Sequence, residues 1–480
     1  MGIAASAAIL FALLRVPSLF EPYWYTDEAG YSVTARDVLQ GARLYSEAWT
    51  NKPPLQIWTV AATQVLFGPT EWGLHLATLV FGLVAVAAVA VFAASNLTFV
   101  RALAASLGFA FVVGLPYFDA QLAVPESFLF ALTAWGGVLV LWRALKGPQG
   151  RFWGLWWALL SGVLMGLALG YQQTVAVDEA VLVFVMLVLP GIRLKEALLQ
   201  LGSAVAVALV WLLPVVAQSG FHEVWFSLAG FYVGYTQTSA PTDWAHRLLL
   251  LLTPALAVAG GWWLRRAQNP LWTAYLWAAG LLWVAALANR DYPHFWTPAV
   301  APAFIAIAST PRLLRGWRLR FLPLAASCAT LAVMAAYATP FDDVRVQAYF
   351  YFPGAAATGS LDSWKIDFNS TNAPADVAVS NYILAHYPRG VSAVLWSSSA
   401  WPYILADLPD RMPAPPIYND VILLGSSSAA ARYAANLHPR LIVTSEEGVS
   451  QYPDIEPYLK RDYRQVYAYG VDRLYERVAG

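Results

Sequence analysis

The chain has 480 residues, of which 59% are hydrophobic and 12% charged, and its 29 basic side chains balance 29 acidic ones. A soluble protein of this length carries about 25% charged residues, so lipid must replace water around much of the chain, and zero net charge gives a nucleic-acid partner no electrostatic support. The single cysteine, Cys328, excludes an internal disulfide and a thiolate-rich metal cluster.

A bilayer core takes about 20 apolar residues per helix. Runs of that scale occur at 2–20, 73–94, 98–116, 122–143, 153–170, 174–190, 197–217, 246–264, 271–288, 293–309 and 320–339. They predict an α-helical polytopic membrane protein with about eleven spans. The first run has neither a basic flank nor an A-x-A cleavage signal and reads as a retained span. Leu55–Phe67 is too short to cross and reads as an interfacial or re-entrant piece. The 22 Trp and 24 Tyr suit aromatic belts at the two membrane surfaces.

The basic residues set the expected orientation. With the N-terminus in the cytoplasm, the inner loops hold Arg101; Arg143, Lys146 and Arg151; Arg193 and Lys195; Arg265 and Arg266; and Arg312, Arg315, Arg318 and Arg320. The outer loops hold Arg36, Arg43, Lys52 and Arg290. That bias obeys the positive-inside rule and sets apart four outer bases that call for a reason of their own. From about residue 340 the composition changes. "VSAVLW" and "RLIVTS" read as buried strands, "ADVAVSNYILAHY" and "SSAAARYAANLH" as amphipathic helices, and "VYAYGVDRLYERV" as a terminal hairpin. The expected division is a transmembrane domain over 1–340 and a soluble α/β domain over 341–480, outside the membrane (periplasmic or extracellular). The triplet Asn369-Ser370-Thr371 matches a glycosylation sequon, a pattern common by chance.

Candidate chemistry concentrates in the first outer loop, 21–56. Asp27 and Glu28 follow the aromatic cluster Tyr23, Trp24, Tyr25 and open a helix-like segment running to Leu39. An acidic first turn favours the helix dipole, and an acid at the membrane rim also suits a general base; the two readings weigh equally on sequence physics alone. Arg36, Arg43 and Lys52 can bind an anionic headgroup or snorkel to the interface. Lys52-Pro53-Pro54 is more specific, because two prolines fix the backbone behind the lysine. Asp119 and Glu126, seven apart in "GLPYFDAQLAVPESFLF", share a helical face if Pro125 permits a continuous helix. Asp119 is the functional candidate and Glu126 a partner for a buried polar group. Gln172 and Gln173, with Asp178 and Glu179, flank a turn between spans, where glutamines bind sugar or satisfy helix ends. Arg290, Tyr292 and His294 in "ANRDYPHFWTPAVAP" can take a phosphate or stack a sugar, and the loop 219–243 adds Trp225, Phe231, Tyr232 and Tyr235 as a lid or sugar-stacking wall. No Gly-rich phosphate loop, metal-spaced His/Cys set or Ser-His-Asp pattern stands out, against an ATPase or a membrane protease.

The ordered motif "DEAGYSVTARDVLQGARLYSEAWTNKPPLQIW" resembles the Asp-Glu…Ala-Arg…Gly…Leu-Tyr…Lys-Pro-Pro-Leu pattern of the protein O-mannosyltransferase and aminoarabinose transferase group. "RDYPHFWTPAVAPAFIAIA" is similar to that group's late-span motif. These are integral-membrane C-type (GT-C) glycosyltransferases that use polyprenyl-phosphate sugars. The resemblance covers most of the transmembrane part and implies Asp27 as base or acceptor-orienting acid, with Glu28 beside it. It implies Arg36, Lys52 and the Arg290–His294 cluster on the donor-phosphate side, with Asp119 as an approximate second acid. The stretch "GYQQT" stands where the group commonly carries a lysine, so the group's phosphate contact there does not carry over directly. Some enzymes of this class use a divalent ion and others do not, so Mg²⁺ or Mn²⁺ between Asp27 and Asp119 is an open expectation. The expected partners are a polyprenyl-phosphate-linked sugar, an acceptor lipid, glycan or protein, and membrane lipids, at the outer face of the cytoplasmic membrane. A lipid-linked sugar transporter or flippase, or a non-catalytic scaffold, is the rival expectation; internal repeats, common in transporter folds, are absent from the sequence.

Overall fold

The computed structural model describes residues 2–146, 151–189, 191–232, 272–287, 292–313, 344–369 and 371–478. The expected spans at 246–264 and 320–339, with Cys328 and Arg290, lie outside the described residues. Two compact units emerge. One comprises Met1–Pro17, His75–Pro214 and Ser239–Tyr349; the other comprises Ser18–Leu74, Val215–Thr238 and Phe350–Gly480. The second unit therefore joins the segment Ser18–Leu74 to the C-terminal region, an association that a division at residue 340 does not express.

The first unit is helical. Long apolar runs form α1 (Gly2–Arg15), α4 (Glu71–Asn96), α5 (Phe99–Gly114), α6 (Pro125–Lys146), α7 (Arg151–Leu169), α8 (Val175–Val188) and α9 (Leu194–Ser219), followed by helices Trp272–Leu287 and Thr297–Leu313. Among the described residues, four helical stretches are long and apolar enough to cross a membrane: Gly2–Phe20, Glu71–Asn96, Pro125–Leu145 and Leu194–Ser219. Phe99–Gly114 and Gly154–Leu169 are shorter apolar helices. Two buried guanidinium groups of this unit have their partners, as a low-dielectric interior demands. Arg15, 1% exposed, donates to the Ala120 carbonyl and to Thr78 Oγ1, each at 2.8 Å. Arg143 and Glu196 form a bidentate buried pair at 2.9 and 3.0 Å. Small residues let the helices close up: a Cβ on Gly137 would run into the Trp277 ring.

The second unit mixes α and β. Its helices include α2 (Thr26–Leu39) and α3 (Pro54–Phe67), packed on each other. Proline at its N1 position starts α3 without cost, since that N–H would be unsatisfied anyway. The sheet orders its strands β1-β2-β4-β3. Strand β1 (Ala393–Trp396) runs parallel to β2 (Leu441–Ser445), both wholly buried, as a strand covered on two faces must be. Strands β3 (Tyr463–Tyr469) and β4 (Asp472–Arg477) form the antiparallel terminal hairpin, turned at Gly470, whose φ is +52°. The core beneath the sheet joins Val394, Trp396, Ile417, Ala430, Ala434 and Ile442. Side-chain caps start two of the covering helices: Ser426 accepts from the Ala429 N–H and Ser445 from that of Gly448. The strands, the two amphipathic helices and the hairpin match the sequence expectation.

Candidate active site

In the second unit a cavity is lined by Asp27, Tyr31, Thr34, Trp49 and Lys52 from the N-terminal segment and by Pro415, Pro416, Tyr418 and Asn419 from the C-terminal one. Helix α2 supplies Asp27, Gly30, Tyr31 and Thr34. Their spacing, i, i+3, i+4 and i+7, is that of one helical face. Glu28, one residue on, points elsewhere and is fully buried. Gly30 permits the close approach of the opposite wall, because a Cβ there would stand 3.2 Å from the Pro415 carbonyl oxygen.

The loop carrying Lys52 is fixed by hydroxyl groups. Thr34 donates to the Trp49 carbonyl at 3.3 Å, Tyr232 to that of Asn51 at 3.3 Å, and Tyr45 to that of Lys52 at 2.8 Å. The start of the loop is held by Ser219, which donates to the Leu44 carbonyl at 2.5 Å. Phe231 packs on Trp49 with ring centroids 4.8 Å apart. The aromatic loop that suggested a lid thus supports the lysine loop from behind; Tyr235 lies outside the described residues. The buried Trp49 indole N–H has no hydrogen-bond partner among the described residues, a donor left open on a residue of the cavity wall.

On the opposite wall the Tyr418 hydroxyl donates to Asp27 Oδ1 at 3.0 Å, across 391 positions of sequence. Tyr418 is not among the residues expected from the sequence, where no local pattern signals it. The segment leading to it is stitched to the sheet and to itself. Ile417 N donates to the Ser397 carbonyl just beyond β1 at 3.2 Å, Ala414 N to Asp420 Oδ1 at 2.8 Å, and Met412 N to Asp410 Oδ1 at 3.0 Å.

Arg36 does not line this cavity. It donates to the Tyr403 carbonyl at 2.8 Å and pairs with Asp37 at 3.3 Å. It serves a half-buried acidic cluster instead. Burial, then the charge of Asp37, lifts the Asp410 carboxyl to about 7 against the pull of Arg36. Asp420 is likewise pushed well up by burial and by Asp410, and burial raises Asp37. Arg43 is an exposed partner of Glu47 at 2.7 Å. Tyr23 stacks edge-on against Trp401 and Trp24 against Phe368.

The remaining candidates belong to the first unit. Asp119 sits in the left-handed region, φ +51°, after the single turn Pro116–Phe118, and α6 begins only at Pro125. Asp119 and Glu126 therefore do not share a continuous helix face, contrary to expectation. Arg345 Nη1 lies 2.6 Å from Asp119 Oδ1, and His294 Nδ1 is 3.7 Å from Oδ2. Tyr292 stacks on His294 at 5.5 Å. Arg345 is a further residue not expected from the sequence, since a base 226 positions away carries no local sign of its partner. Gln172 is 8% exposed in the turn before α8, its Oε1 without a partner among the described residues.

For the divalent cation expected at Asp27 and Asp119, the Asp119 carboxylate is a poorly suited ligand. The Arg345 guanidinium, 2.6 Å from Oδ1, already compensates the charge of Asp119. A better-suited carboxylate pair is Glu28 and Glu71, both buried, with oxygens within 4.8 Å. His75 follows Glu71 by one turn of α4.

No family model matches the chain, and no curated protein does. Solved structures do. ArnT from Cupriavidus metallidurans bound to undecaprenyl phosphate aligns over 98% of this chain and 97% of its own, with a TM-score of 0.62 at 15% identity. An Archaeoglobus fulgidus oligosaccharyltransferase tethered to an acceptor peptide aligns over 97% of this chain and 72% of its own, with a TM-score of 0.52 at 13% identity. The fold is GT-C. At these identities the GT-C architecture is what is shared.

Proposed function

We propose that the protein is a membrane glycosyltransferase that moves a sugar from a polyprenyl-phosphate donor to an acceptor hydroxyl or amine, with inversion at the anomeric carbon, at the outer face of the cytoplasmic membrane. The single observation that carries this reading is the juxtaposition of Asp27 and Lys52 on one cavity, within a GT-C fold. ArnT, which shares that fold, binds undecaprenyl phosphate in its crystal structure, and this supports a polyprenyl phosphate as the lipid here.

In this reading Lys52 neutralises the departing lipid phosphate, held in place by its prolines and by Tyr45 on its carbonyl. Asp27 accepts the proton of the acceptor as its oxygen or nitrogen bonds to the anomeric carbon. The bond from that carbon to the phosphate oxygen breaks, and the electron pair leaves with the lipid phosphate. A site with little water makes both interactions worth more than in bulk. Arg290, Tyr292 and His294 are assigned to the donor side by resemblance alone. No step requires a cation.

The test is reconstitution of the full chain in lipid nanodiscs with a panel of polyprenyl-phosphate sugars, following release of the free polyprenyl phosphate by mass spectrometry. The wild-type chain should consume one or more of them. Asp27→Asn should abolish consumption while the protein stays folded, and Lys52→Ala should raise the donor KM. Full activity in Asp27→Asn would remove Asp27 as base. Movement of an intact lipid-linked sugar across vesicles without any covalent product would favour a flippase.

A further inference from the structure

A carboxylate base near the start of a helix has a fixed backbone but a side chain free to rotate, and catalysis needs one orientation. The structure of the second unit contains a device for this. We infer that Tyr418 is the positioning residue of Asp27: its hydroxyl holds Oδ1 and thereby presents Oδ2 to the acceptor. This rests on the reading of Asp27 as the base.

The inference stands on three observations. Tyr418 donates to Asp27 Oδ1 at 3.0 Å, and an ionised carboxylate offers about four lone-pair sites, so one hydroxyl leaves room for another. Tyr418 is itself held by rigid parts. It lies in the first turn of the Ile417–Leu423 helix, whose Ile417 N–H is bonded to the Ser397 carbonyl just past the buried strand β1. Asn419 bonds back to Pro416 through its backbone and to Pro415 through its side chain, at 3.0 and 3.3 Å. Finally, Gly30 lets the Pro415 carbonyl approach α2 one turn from Asp27, which sets the depth at which the phenol meets the acid. A base aligned by a third group is a general requirement of proton transfer at a fixed centre. Here the aligning group comes from the C-terminal α/β region, which makes that region part of the catalytic apparatus.

A merely structural stitch and a positioning bond differ in what their loss does. Tyr418→Phe keeps the ring and removes the donor. With the lipid-linked sugar that the wild-type chain consumes, its kcat should fall about ten- to hundredfold, the range for a hydrogen bond to a charged group. The donor KM should change less than about twofold, because the donor phosphate is not bound by the phenol. Placing 4-aminophenylalanine at position 418 restores an N–H donor on the same ring and should recover most of kcat. A kcat for Tyr418→Phe within about twofold of wild type overturns the inference, as does a loss that the amino analogue fails to rescue or that falls on KM alone. If Asp27→Asn is fully active, the base assignment fails and takes the inference with it. An inactive Asp27→Asn beside a fully active Tyr418→Phe refutes the inference and leaves the base in place. A wild-type chain that consumes no lipid-linked sugar overturns both.

Discussion

Two roles compete for the guanidinium of Arg36, and the geometry favours one. The sequence places this base on an outer loop where an anionic headgroup could reach it. In the fold its side chain is 14% exposed, donates to the Tyr403 carbonyl and stands beside Asp37, with Asp410 near enough to feel its charge. Lys52 keeps its place on the cavity wall. The two bases are therefore expected to part under mutation. Arg36→Ala leaves the buried Tyr403 carbonyl and the half-buried Asp37 short of a donor, which costs about 1.5–3 kcal/mol for a charge-assisted bond. It should lower the melting temperature by several degrees in a detergent-solubilised thermal shift and leave the donor KM unaltered. Lys52→Ala should do the reverse. A raised donor KM with unchanged melting in Arg36→Ala would return Arg36 to the phosphate.

At the scale of elements, the segment from Asp410 to Asp420 is folded by two acids that accept backbone N–H bonds, Asp420 buried and Asp410 half-buried. A second buried pair, Asp376 and Asp472, ties the Asn372–His386 helix to the start of β4, with Ser399 donating to Asp376 at 2.6 Å. Burial lifts both Asp410 and Asp472 to about 7. A carboxyl whose folded pKa stands above its unfolded value near 4 stabilises fully below pH 4. That contribution is lost as pH rises, by about 1.4 kcal/mol per unit per group, until the folded value near 7 is passed. The share of the wild-type melting temperature that these two acids supply should accordingly fall between pH 4 and pH 7 and then level off. Asp410→Asn and Asp472→Asn should each flatten part of that slope, and the double variant more than either. A slope untouched by both substitutions would show that these acids ionise in the folded state as freely as in the unfolded one.

For the molecule as a whole, what could be read in advance followed the range of the interactions. Strands β1 and β2, the hairpin and the start of α3 at Lys52-Pro53-Pro54 are local, set by short apolar runs, turn residues and proline, and they are where the sequence puts them. The pairing of Asp27 with Tyr418 and of Asp119 with Arg345 spans 391 and 226 positions, and no periodicity encodes such partners. Asp119 departs from expectation for a local reason, since its left-handed backbone breaks the helix that seven-residue spacing suggested. The same long-range pairing joins Ser18–Leu74 to Phe350–Gly480 in one compact unit. The C-terminal region is therefore expected to help build the cavity rather than act as a detachable module. Deleting 345–480 would strip Pro415, Pro416, Tyr418 and Asn419 from the cavity, and would bare Tyr23 and Trp24 where Trp401 and Phe368 now cover them. The truncated chain should lose turnover of the lipid-linked sugar even with water as the acceptor, and the segment 21–56 should become sensitive to added protease in detergent. Retained donor hydrolysis with a protected loop would instead mean that the N-terminal segment builds the site unaided.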